Sequence, residues 1–318
     1  MAYNTYTQGR QDNLNDPRTG INTYEWYDRN LLENARERFI VSNFTAKKSM
    51  PKYEGDQAVF SYYEHIPAFT TPLVEGNTPA GTTLSKVNVR AKMYTYGAYV
   101  PFTDDLDIYG EDGARFKKDV TSNLGGAAGE TQESILIAAA LASNTEIVYD
   151  TDLETTFKVA ELSLRNALAM KFTSMITGST NYATTPIRPA YVGIVTPEGA
   201  VMLEGMTGFK GVEEYGYSDG LLPNEVGSYR GIRFVETTLL PPDSSSGTDK
   251  EQCILMGEEA LAEVGIRGKK RIETIIKDLS AGDGQSNPLN RWGSIGSKFR
   301  LAAAVLRPDW VCKVHMEA

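Results

Sequence analysis

The sequence predicts an α+β fold with a long β-hairpin, one long helix and a separate α/β unit. Strand-like residues at Gln57–His65 and Leu84–Phe102 flank an 18-residue segment, Ile66–Thr83, whereas hairpin loops usually hold about 2–5 residues. Apolar residues three and four positions apart predict a helix over Asp112–Ser143. A buried-type strand at Tyr191–Val195 then opens the α/β unit. A hairpin this long, with prolines and no catalytic residue types at its tip, indicates contact with another subunit.

The N-terminal part is predicted as a polar arm followed by a helix. Residues 1–23 are rich in Gly, Asn and Asp and are expected to be flexible. From Tyr24 to Phe44 the apolar residues follow helical spacing and form a stripe made of Trp26, Leu31, Leu32, Ala35, Phe39 and Ile40. Such a stripe must be buried, either within the same subunit or against a neighbour.

The return strand of the hairpin is unusually long. Leu84–Phe102 holds 19 residues, whereas a mean strand has about 5–6. We therefore expect it to bend, to change its partner strand or to project from the body. Gly97 and Pro101 mark where it re-enters the globular part.

The long helix carries glycines in its interior. About 30 residues at 1.5 Å each give a length of roughly 45 Å. Gly125, Gly126 and Gly129 each cost about 1 kcal/mol relative to alanine. Close backbone packing or a bend would compensate, and a helix broken at Gly125–Gly126 is the alternative.

The remaining elements are short. A second amphipathic helix is predicted at Leu153–Phe172, and the turn-rich segment 178–189 is a candidate domain boundary. Thr196 is a plausible N-cap of a helix that begins at Pro197. The rest comprises loops at 207–228, a strand at Gly231–Leu239, an exposed loop at 241–249, a strand at Cys253–Met256, a short helix or turn at Glu258–Val264, a strand at Arg271–Lys277, an irregular segment at 280–296, and strands at Ser297–Leu306 and Trp310–Met316.

The charge is unevenly distributed along the chain. The net charge is −9; residues 1–100 carry 11 basic and 10 acidic side chains, and residues 101–318 carry 21 and 31. An acidic body argues against tight binding to nucleic-acid phosphates, which requires Lys and Arg. Seventeen tyrosines are equally consistent with subunit interfaces and with a β-rich protein. The absence of 18 consecutive apolar residues predicts no membrane span, and the polar N-terminus predicts no signal peptide.

Catalytic motifs are not found in the sequence. His65 and His315, the only histidines, have no nucleophile in a recognisable local motif, and no zinc or phosphate-binding motif occurs. Cys253 and Cys312 lie in apolar runs and are expected to be buried free thiols. The sequence therefore predicts a protein that is not an enzyme and has no cofactor or metal.

Two charged clusters have alternative explanations. Asp104, Asp105 and Asp107 could gather a divalent cation, but carboxylates also favour helix N-termini, and we expect the latter. The basic cluster Arg267, Lys269, Lys270 and Arg271 is expected to be a solvated loop. Its alternative is contact with nucleic acid or with an acidic neighbour.

Several short motifs occur in a fixed order along the chain. They are Thr71-Pro72-Leu73, Glu75-Gly76 and Thr78-Pro79-Ala80-Gly81; Tyr96-Gly97 with Tyr99-Val100 and Thr103-Asp104; Gly231–Glu236; and Asn287–Asn290 with Gly293–Gly296. Together with the element order, they resemble the tailed-phage major capsid proteins of the Hong Kong 97 capsid fold, and among these the N-four-like family. The resemblance covers about residues 24–316.

The resemblance implies a division of the chain into the parts of that fold. These are an N-terminal arm at 1–45, an E-loop at 46–103, a P-domain with the spine helix at 104–185, an A-domain at 186–263, P-domain strands and a loop at 264–292, and C-terminal strands returning to the A-domain at 293–318. The covalent Lys–Asn cross-link of the fold's namesake is not carried over, because no lysine lies between Pro67 and Gly81.

The implied function is self-assembly into the icosahedral shell around the double-stranded DNA of a tailed phage. The implied partners are copies of the chain in hexamers and pentamers, with portal, scaffolding and decoration proteins, and no membrane. The implied location is the virion, after assembly in the host bacterial cytoplasm. Inter-subunit contacts are expected from the E-loop tip (Thr71, Pro72, Leu73, Glu75 and Pro79) and from the arm stripe (Trp26, Leu31, Leu32 and Phe39). The alternatives are an encapsulin-like compartment and a soluble enzyme that uses the acidic groups Asp104, Asp105 and Asp107 or Glu258 and Glu259.

Overall fold

The protein is described from a computed structural model. The structure describes residues 39–53, 55–70, 72, 75–76, 78, 81–109, 113–143, 146–147, 152–172, 189–215, 222–243, 250–268, 271–279 and 289–316. The predicted flexible arm, residues 24–38 of the predicted arm helix and residues 178–188 of the predicted linker lie outside these ranges.

The described elements confirm a mixed α+β fold. The helices are α1 (Asp104–Tyr109), α2 (Gly113–Leu141), α3 (Leu153–Asn166), α4 (Pro197–Glu204) and α5 (Val212–Tyr215), with 3-10 helices at Val41–Phe44 and Pro308–Trp310. The strands are β1 (Ala46–Met50), β2 (Gln57–Tyr63), β3 (Lys86–Lys92), β4 (Tyr94–Thr103), β5 (Glu146–Ile147), β6 (Tyr191–Val195), β7 (Lys210–Gly211), β8 (Glu225–Tyr229), β9 (Ile232–Glu236), β10 (Glu251–Met256), β11 (Leu261–Ile266), β12 (Ile272–Lys277), β13 (Trp292–Val305) and β14 (Val311–Met316).

The strands form three sheets. The five-stranded sheet has the order β1-β11-β13-β12, and β4 also pairs with β13. The seven-stranded sheet has the order β5-β14-β10-β6-β9-β8-β7, and β2 pairs with β3. Of the two C-terminal strands, β13 belongs to the five-stranded sheet and β14 to the seven-stranded sheet. The predicted division of the chain into domains stays a prediction.

The return strand changes its partner, which is one of the three predicted outcomes. β3 pairs with β2 over seven residue pairs, and after Met93 the chain continues as β4, which pairs with β13 over ten. Gly97 lies where β4 meets β13, and a Cβ there would approach Ser297 O to 2.7 Å. The predicted E-loop, 46–103, therefore contains two strands of the five-stranded sheet, β1 and β4, in addition to the β2–β3 hairpin.

Helix α2 is continuous, so the alternative of a break at Gly125–Gly126 is wrong. Gly125, Gly126 and Gly129 are buried, which fits close packing of the helix. Leu124 and Ala128 of α2 pack in a core with Phe299 of β13 and other side chains of the five-stranded sheet. The C-terminal part of α2 contributes Leu136, Ile137 and Ala140 to the larger core around the seven-stranded sheet. One helix thus supports both sheets.

The seven-stranded sheet contains the most completely buried part of the chain. All five residues of β6 are buried between β10 and β9. A Cβ at Gly193 would lie 2.8 Å from Cδ1 of Phe234, so a larger residue would collide with the core. Thr196 caps α4 by accepting a hydrogen bond from Gly199 N at 3.1 Å, as predicted. Cys253 and Cys312 are buried free thiols, also as predicted.

Some short elements differ from their predictions. β7, α5 and most of β8 lie in the predicted loop region 207–228. The strand β11 begins within Glu258–Val264, where a short helix or turn was expected. Helix α3 ends before the predicted Phe172, because Leu168 adopts a left-handed conformation with φ of 54°. β1 was not predicted, and it pairs in parallel with β11.

β13 begins inside the predicted irregular segment 280–296. Gly293 and Gly296 suggest turns in the sequence, but here they make room for side chains of β4. A Cβ at Gly293 would lie 2.2 Å from Cζ of Phe102, and one at Gly296 would lie 3.2 Å from Cβ of Tyr99.

Candidate interaction surfaces

The β2–β3 hairpin has one packed face and one open face. Ala58, Phe60, Val89 and Ala91 point toward a small core that includes Ala302 of β13. On the other face Val59 is 57% and Tyr63 60% exposed. Within the described strands, β2 pairs only with β3. A two-stranded hairpin alone is marginally stable in water. Packing against β13 therefore stabilises the hairpin and fixes its orientation relative to the five-stranded sheet.

The segment that joins β2 and β3 exposes apolar side chains. Every described residue from Glu64 to Ser85 is exposed. Phe69 is 81% exposed, and Ile66 and Leu84 are exposed as well. Of the predicted E-loop tip residues, Pro72 and Glu75 are exposed, whereas Thr71, Leu73 and Pro79 lie outside the described residues. Exposed apolar residues gathered in one segment are typical of an interaction site.

The arm junction, which we define as Phe39–Thr45, is bound tightly to the body. Phe39 is buried in the core between α2 and the five-stranded sheet. Glu133 of α2 accepts hydrogen bonds from Val41 N at 2.7 Å and Ser42 N at 3.1 Å. Phe39, the only described member of the predicted arm contacts, therefore packs within its own subunit; Trp26, Leu31 and Leu32 lie outside the described residues.

A polar network continues from the arm junction into the sheet. The Arg271 guanidinium forms an ion pair with Glu263 at 2.8 Å and lies 4.0 Å from the centre of the Phe39 ring. It also donates hydrogen bonds to Ser42 Oγ at 2.7 Å and Gln132 Oε1 at 2.9 Å. Ser42 Oγ in turn donates to Glu263 Oε2 at 2.6 Å. The network connects the arm junction, α2, β11 and the residue before β12.

The electrostatics of the network depend on Glu133. Burial raises the pKa of its carboxyl from 4.5 to about 7. The hydrogen bonds from Ser42 N and Val41 N act in the opposite direction, and the nearby Glu263 carboxylate adds to the rise. The Glu133 carboxyl therefore changes its protonation near neutral pH while it contacts the arm junction.

This network could not be predicted from the sequence, because its members are far apart in the chain. Arg271 was assigned to a solvated basic loop; that assignment is wrong for Arg271, and Lys269 and Lys270 lie outside the described residues. One signal was present in the sequence. Gln132 continues the four-residue spacing of the buried Leu124 and Ala128, so a polar side chain occupies the packed face of the helix.

The residues considered for catalysis are far apart or already have contacts. His65 is exposed near the end of the hairpin, whereas His315 is buried with Nδ1 3.2 Å from Asp243 Oδ2. Asp104 begins α1, and Asp105 lies 3.6 Å from Arg291. Glu258 and Glu259 occupy a turn. Within the ranges listed above, no group of three His, Cys, Asp or Glu side chains could hold a metal ion, and no helix is long and apolar enough to span a membrane.

Comparisons with known proteins agree on one class. The model of the family described as "Phage capsid protein" matches residues 86–314. No curated protein sequence matches the chain. The fold is similar to that in the capsid structure of cyanophage P-SCSP1u, with 15% identity, a TM-score of 0.60 and 87% of each chain covered. It is also similar to the head structure of Helicobacter pylori bacteriophage KHP40, with 13% identity, a TM-score of 0.59, and 86% of this chain and 87% of that chain covered.

A third phage structure has a similar fold. Mycobacterium phage Che8 matches with 15% identity and a TM-score of 0.55 over 86% of this chain and 90% of that chain. These matches support the predicted Hong Kong 97-type fold. The narrower resemblance to the N-four-like family stays a prediction.

Proposed function

This chain belongs to the phage capsid protein family, and we propose that copies of it assemble into the icosahedral shell around the double-stranded DNA of a tailed phage. It is a major capsid shell protein. The family match does not favour the encapsulin-like alternative or the soluble-enzyme alternative. We infer a structural rather than a catalytic role.

The observation that carries the proposal is the exposed segment between β2 and β3. A subunit that functions alone gains nothing from exposing Ile66, Phe69 and Leu84 together, because burying such side chains stabilises a protein by about 1.5–3 kcal/mol each. Placed against a neighbouring subunit, the same side chains would favour association. The hairpin would act as the E-loop, and its outer strand edges, which pair with no further strand in the described part of the chain, would pair with strands of the neighbour.

The other parts of the fold would have separate roles in assembly. The seven-stranded sheet would act as the A-domain and make the head-to-tail contacts that close into hexamers and pentamers. The N-terminal arm stripe, with Trp26, Leu31 and Leu32, would dock on another subunit. Contacts with several neighbours would add up through multivalency. Portal, scaffolding and decoration proteins would be the further partners, and assembly would take place in the host bacterial cytoplasm.

The function is tested by purifying the protein and examining it by size-exclusion chromatography and electron microscopy. We expect closed shells, with DNA inside when they are isolated from infected cells. A stable monomer that forms no particles under any condition would contradict the proposal. Particles filled with protein cargo instead of DNA would favour the encapsulin-like alternative.

The role of the hairpin is tested by deleting residues 67–82. We expect a folded subunit that forms no shells, because the deleted residues are exposed wherever they are described. A milder variant, Phe69→Ser with Leu84→Ser, should weaken assembly. Leu168→Ser, at a position 76% exposed on a different part of the body, is the matched control. Normal shells from the deletion would refute the hairpin assignment but not the capsid function.

A further inference from the structure

The five-stranded sheet contains a cavity where two of its strands separate. β13 pairs with β11 through Ala302–Val305 and with β12 through Ser294–Phe299, which leaves Arg300 and Leu301 between the two pairings. A cavity of about 210 Å³ opens at this point. The end of β11, the start of β12 and part of β1 form its walls, and Gln132 of α2 contributes to its lining.

The cavity carries more positive than negative charge. Its basic residues are Lys47, Lys48, Arg271, Lys298 and Arg300, and its acidic residues are Glu263 and Glu273. Both carboxylates already have partners: Arg271 lies 2.8 Å from Glu263, and Lys298 lies 3.4 Å from Glu273. No salt bridge within the described residues involves Lys47, Lys48 or Arg300. Strand alternation places Lys48 and Arg300 on the face that carries Val264 and Ala302, and Lys47 on the opposite face, so cationic groups border the cavity from both sides of the sheet.

A buried hydrogen-bond donor of the cavity lining is a second feature that favours an acceptor at this place. Gln132 is 1% exposed, and its Oε1 accepts a hydrogen bond from Arg271 Nε. Its Nε2 has no hydrogen-bond partner among the described residues. A buried polar group without a partner costs about 1–3 kcal/mol. An acceptor oxygen within reach of this side chain would remove that cost.

We propose that this cavity is a carboxylate-binding site that receives an acidic segment of a second copy of the chain. The inference rests on the proposed function, which brings copies into contact. Residues 101–318 carry ten more acidic than basic side chains, so a neighbour presents mainly acidic surface to this cationic site. Exposed pairs such as Glu213–Glu214 and Glu258–Glu259 are candidate donors.

The geometry favours a protein carboxylate over a nucleic-acid backbone. A cavity of about 210 Å³ has room for one or two side chains but not for a duplex. In the described part of the chain, β1 pairs only with β11, so Lys47 and Lys48 lie at the margin of the sheet. Both lysines are exposed there, and a neighbouring subunit can therefore reach them without any rearrangement of the sheet.

The test neutralises the three available cations with Lys47→Gln, Lys48→Gln and Arg300→Gln. We expect the subunit concentration needed for assembly to rise about tenfold, which corresponds to the loss of about 1.4 kcal/mol of inter-subunit charge pairing. The control is Lys158→Gln, Arg165→Gln and Lys210→Gln, which removes the same charge from other parts of the body. Arg300→Lys with Lys47 and Lys48 intact keeps all three positive charges and should assemble at the same subunit concentration as the wild type.

A chemical cross-link identifies the occupant. A carbodiimide joins a lysine amine to an adjacent carboxylate, and we expect cross-links from Lys47 or Lys48 to Asp or Glu in shells assembled from isotopically light and heavy subunits. Mixed-isotope cross-links support a second copy. Cross-links within one copy only, coupling only to DNA phosphates, or unchanged assembly of the folded triple variant would overturn the inference. If the wild-type protein forms no shells at all, the proposed function fails instead.

Discussion

The seven-stranded sheet and the β2–β3 hairpin are both built from β-strands, yet they differ in what surrounds them. Every residue of β6 is buried, and its neighbours on both sides are strands of the same sheet. In β2 the residues alternate between exposed and half-buried. The first region is buried within one chain, whereas the second has an open strand face and an apolar segment that are exposed among the described residues. We infer that stability and assembly depend on different parts of the molecule.

The difference follows from strand sequence. A strand covered on both faces is a continuous apolar run, as in Tyr191–Val195, whereas a strand covered on one face alternates. Alternation at Gln57–Tyr63 gives the hairpin one apolar face, which packs on the five-stranded sheet. The predictions below compare these two regions by the free energy of unfolding of the unassembled subunit, from the largest expected change to the smallest.

The largest loss is expected from Arg233→Ala in the seven-stranded sheet. The side chains of Arg233 and Glu225 are both 1% exposed, and Arg233 Nε donates to Glu225 Oε1 at 2.6 Å. Removing the arginine takes the guanidinium away from the buried Glu225 carboxylate, and breaking a buried ion pair in this way costs about 3–5 kcal/mol. Denaturant unfolding measures the change. Arg165→Ala is the control and should cost less than about 1 kcal/mol, because the Arg165 side chain is 62% exposed and Glu161 keeps Arg230 at 3.7 Å.

A similar loss is expected from Leu255→Ala in β10. Leu255 is fully buried in the larger core, and truncation of such a side chain costs about 2–5 kcal/mol through lost burial and a residual cavity. Thermal unfolding of the unassembled subunit provides the measurement. A cost below about 1 kcal/mol would show that this sheet is packed more loosely than its burial indicates.

A pH-dependent change is expected from Glu133→Gln at the arm junction. Because the folded pKa of Glu133 is raised to about 7 from 4.5, the folded state binds the proton more tightly than the unfolded state. The wild type should therefore lose stability as pH rises from about 4.5 through 7, by about 3 kcal/mol at 1.36 kcal/mol per pKa unit. The Gln variant should lack this loss. Denaturant unfolding of both proteins between pH 4.5 and 8 tests it, and parallel pH profiles would contradict it.

The smallest change in stability is expected from Val59→Ser with Tyr63→Ser in the hairpin. Both side chains are more than half exposed, so unfolding should change by no more than about 0.5 kcal/mol per substitution. If the open face contacts a neighbour, shell formation should nevertheless weaken. Light scattering during assembly measures this effect. A variant that is equally stable and assembles like the wild type would remove this face from the proposed contacts.

Features that depend on residues close together in the chain could be predicted from the sequence, whereas features that depend on distant residues could not. The boundaries of β6, the hairpin and the long helix could be predicted because each depends on periodicity within a short segment. The role of Gly293 could not, because its requirement comes from Phe102, almost two hundred residues away. The same holds for the contacts among Glu133, Glu263 and Arg271, which exist only after α2 and β11 have come together. β1 contains Lys47, Lys48 and Ser49, a polar run that carries no strand signal until β11 pairs with it.

The continuity between β3 and β4 has a mechanical consequence. Only Met93 separates the strand of the hairpin from the strand that enters the five-stranded sheet, and β4 matches β13 over ten consecutive residue pairs. Hydrogen bonds in an antiparallel pair run perpendicular to the strands. A pull on the hairpin along the chain would therefore strain these bonds together in shear instead of opening them one after another. Tension on the hairpin, such as the internal pressure of a filled shell would produce, would be spread through the middle of the subunit.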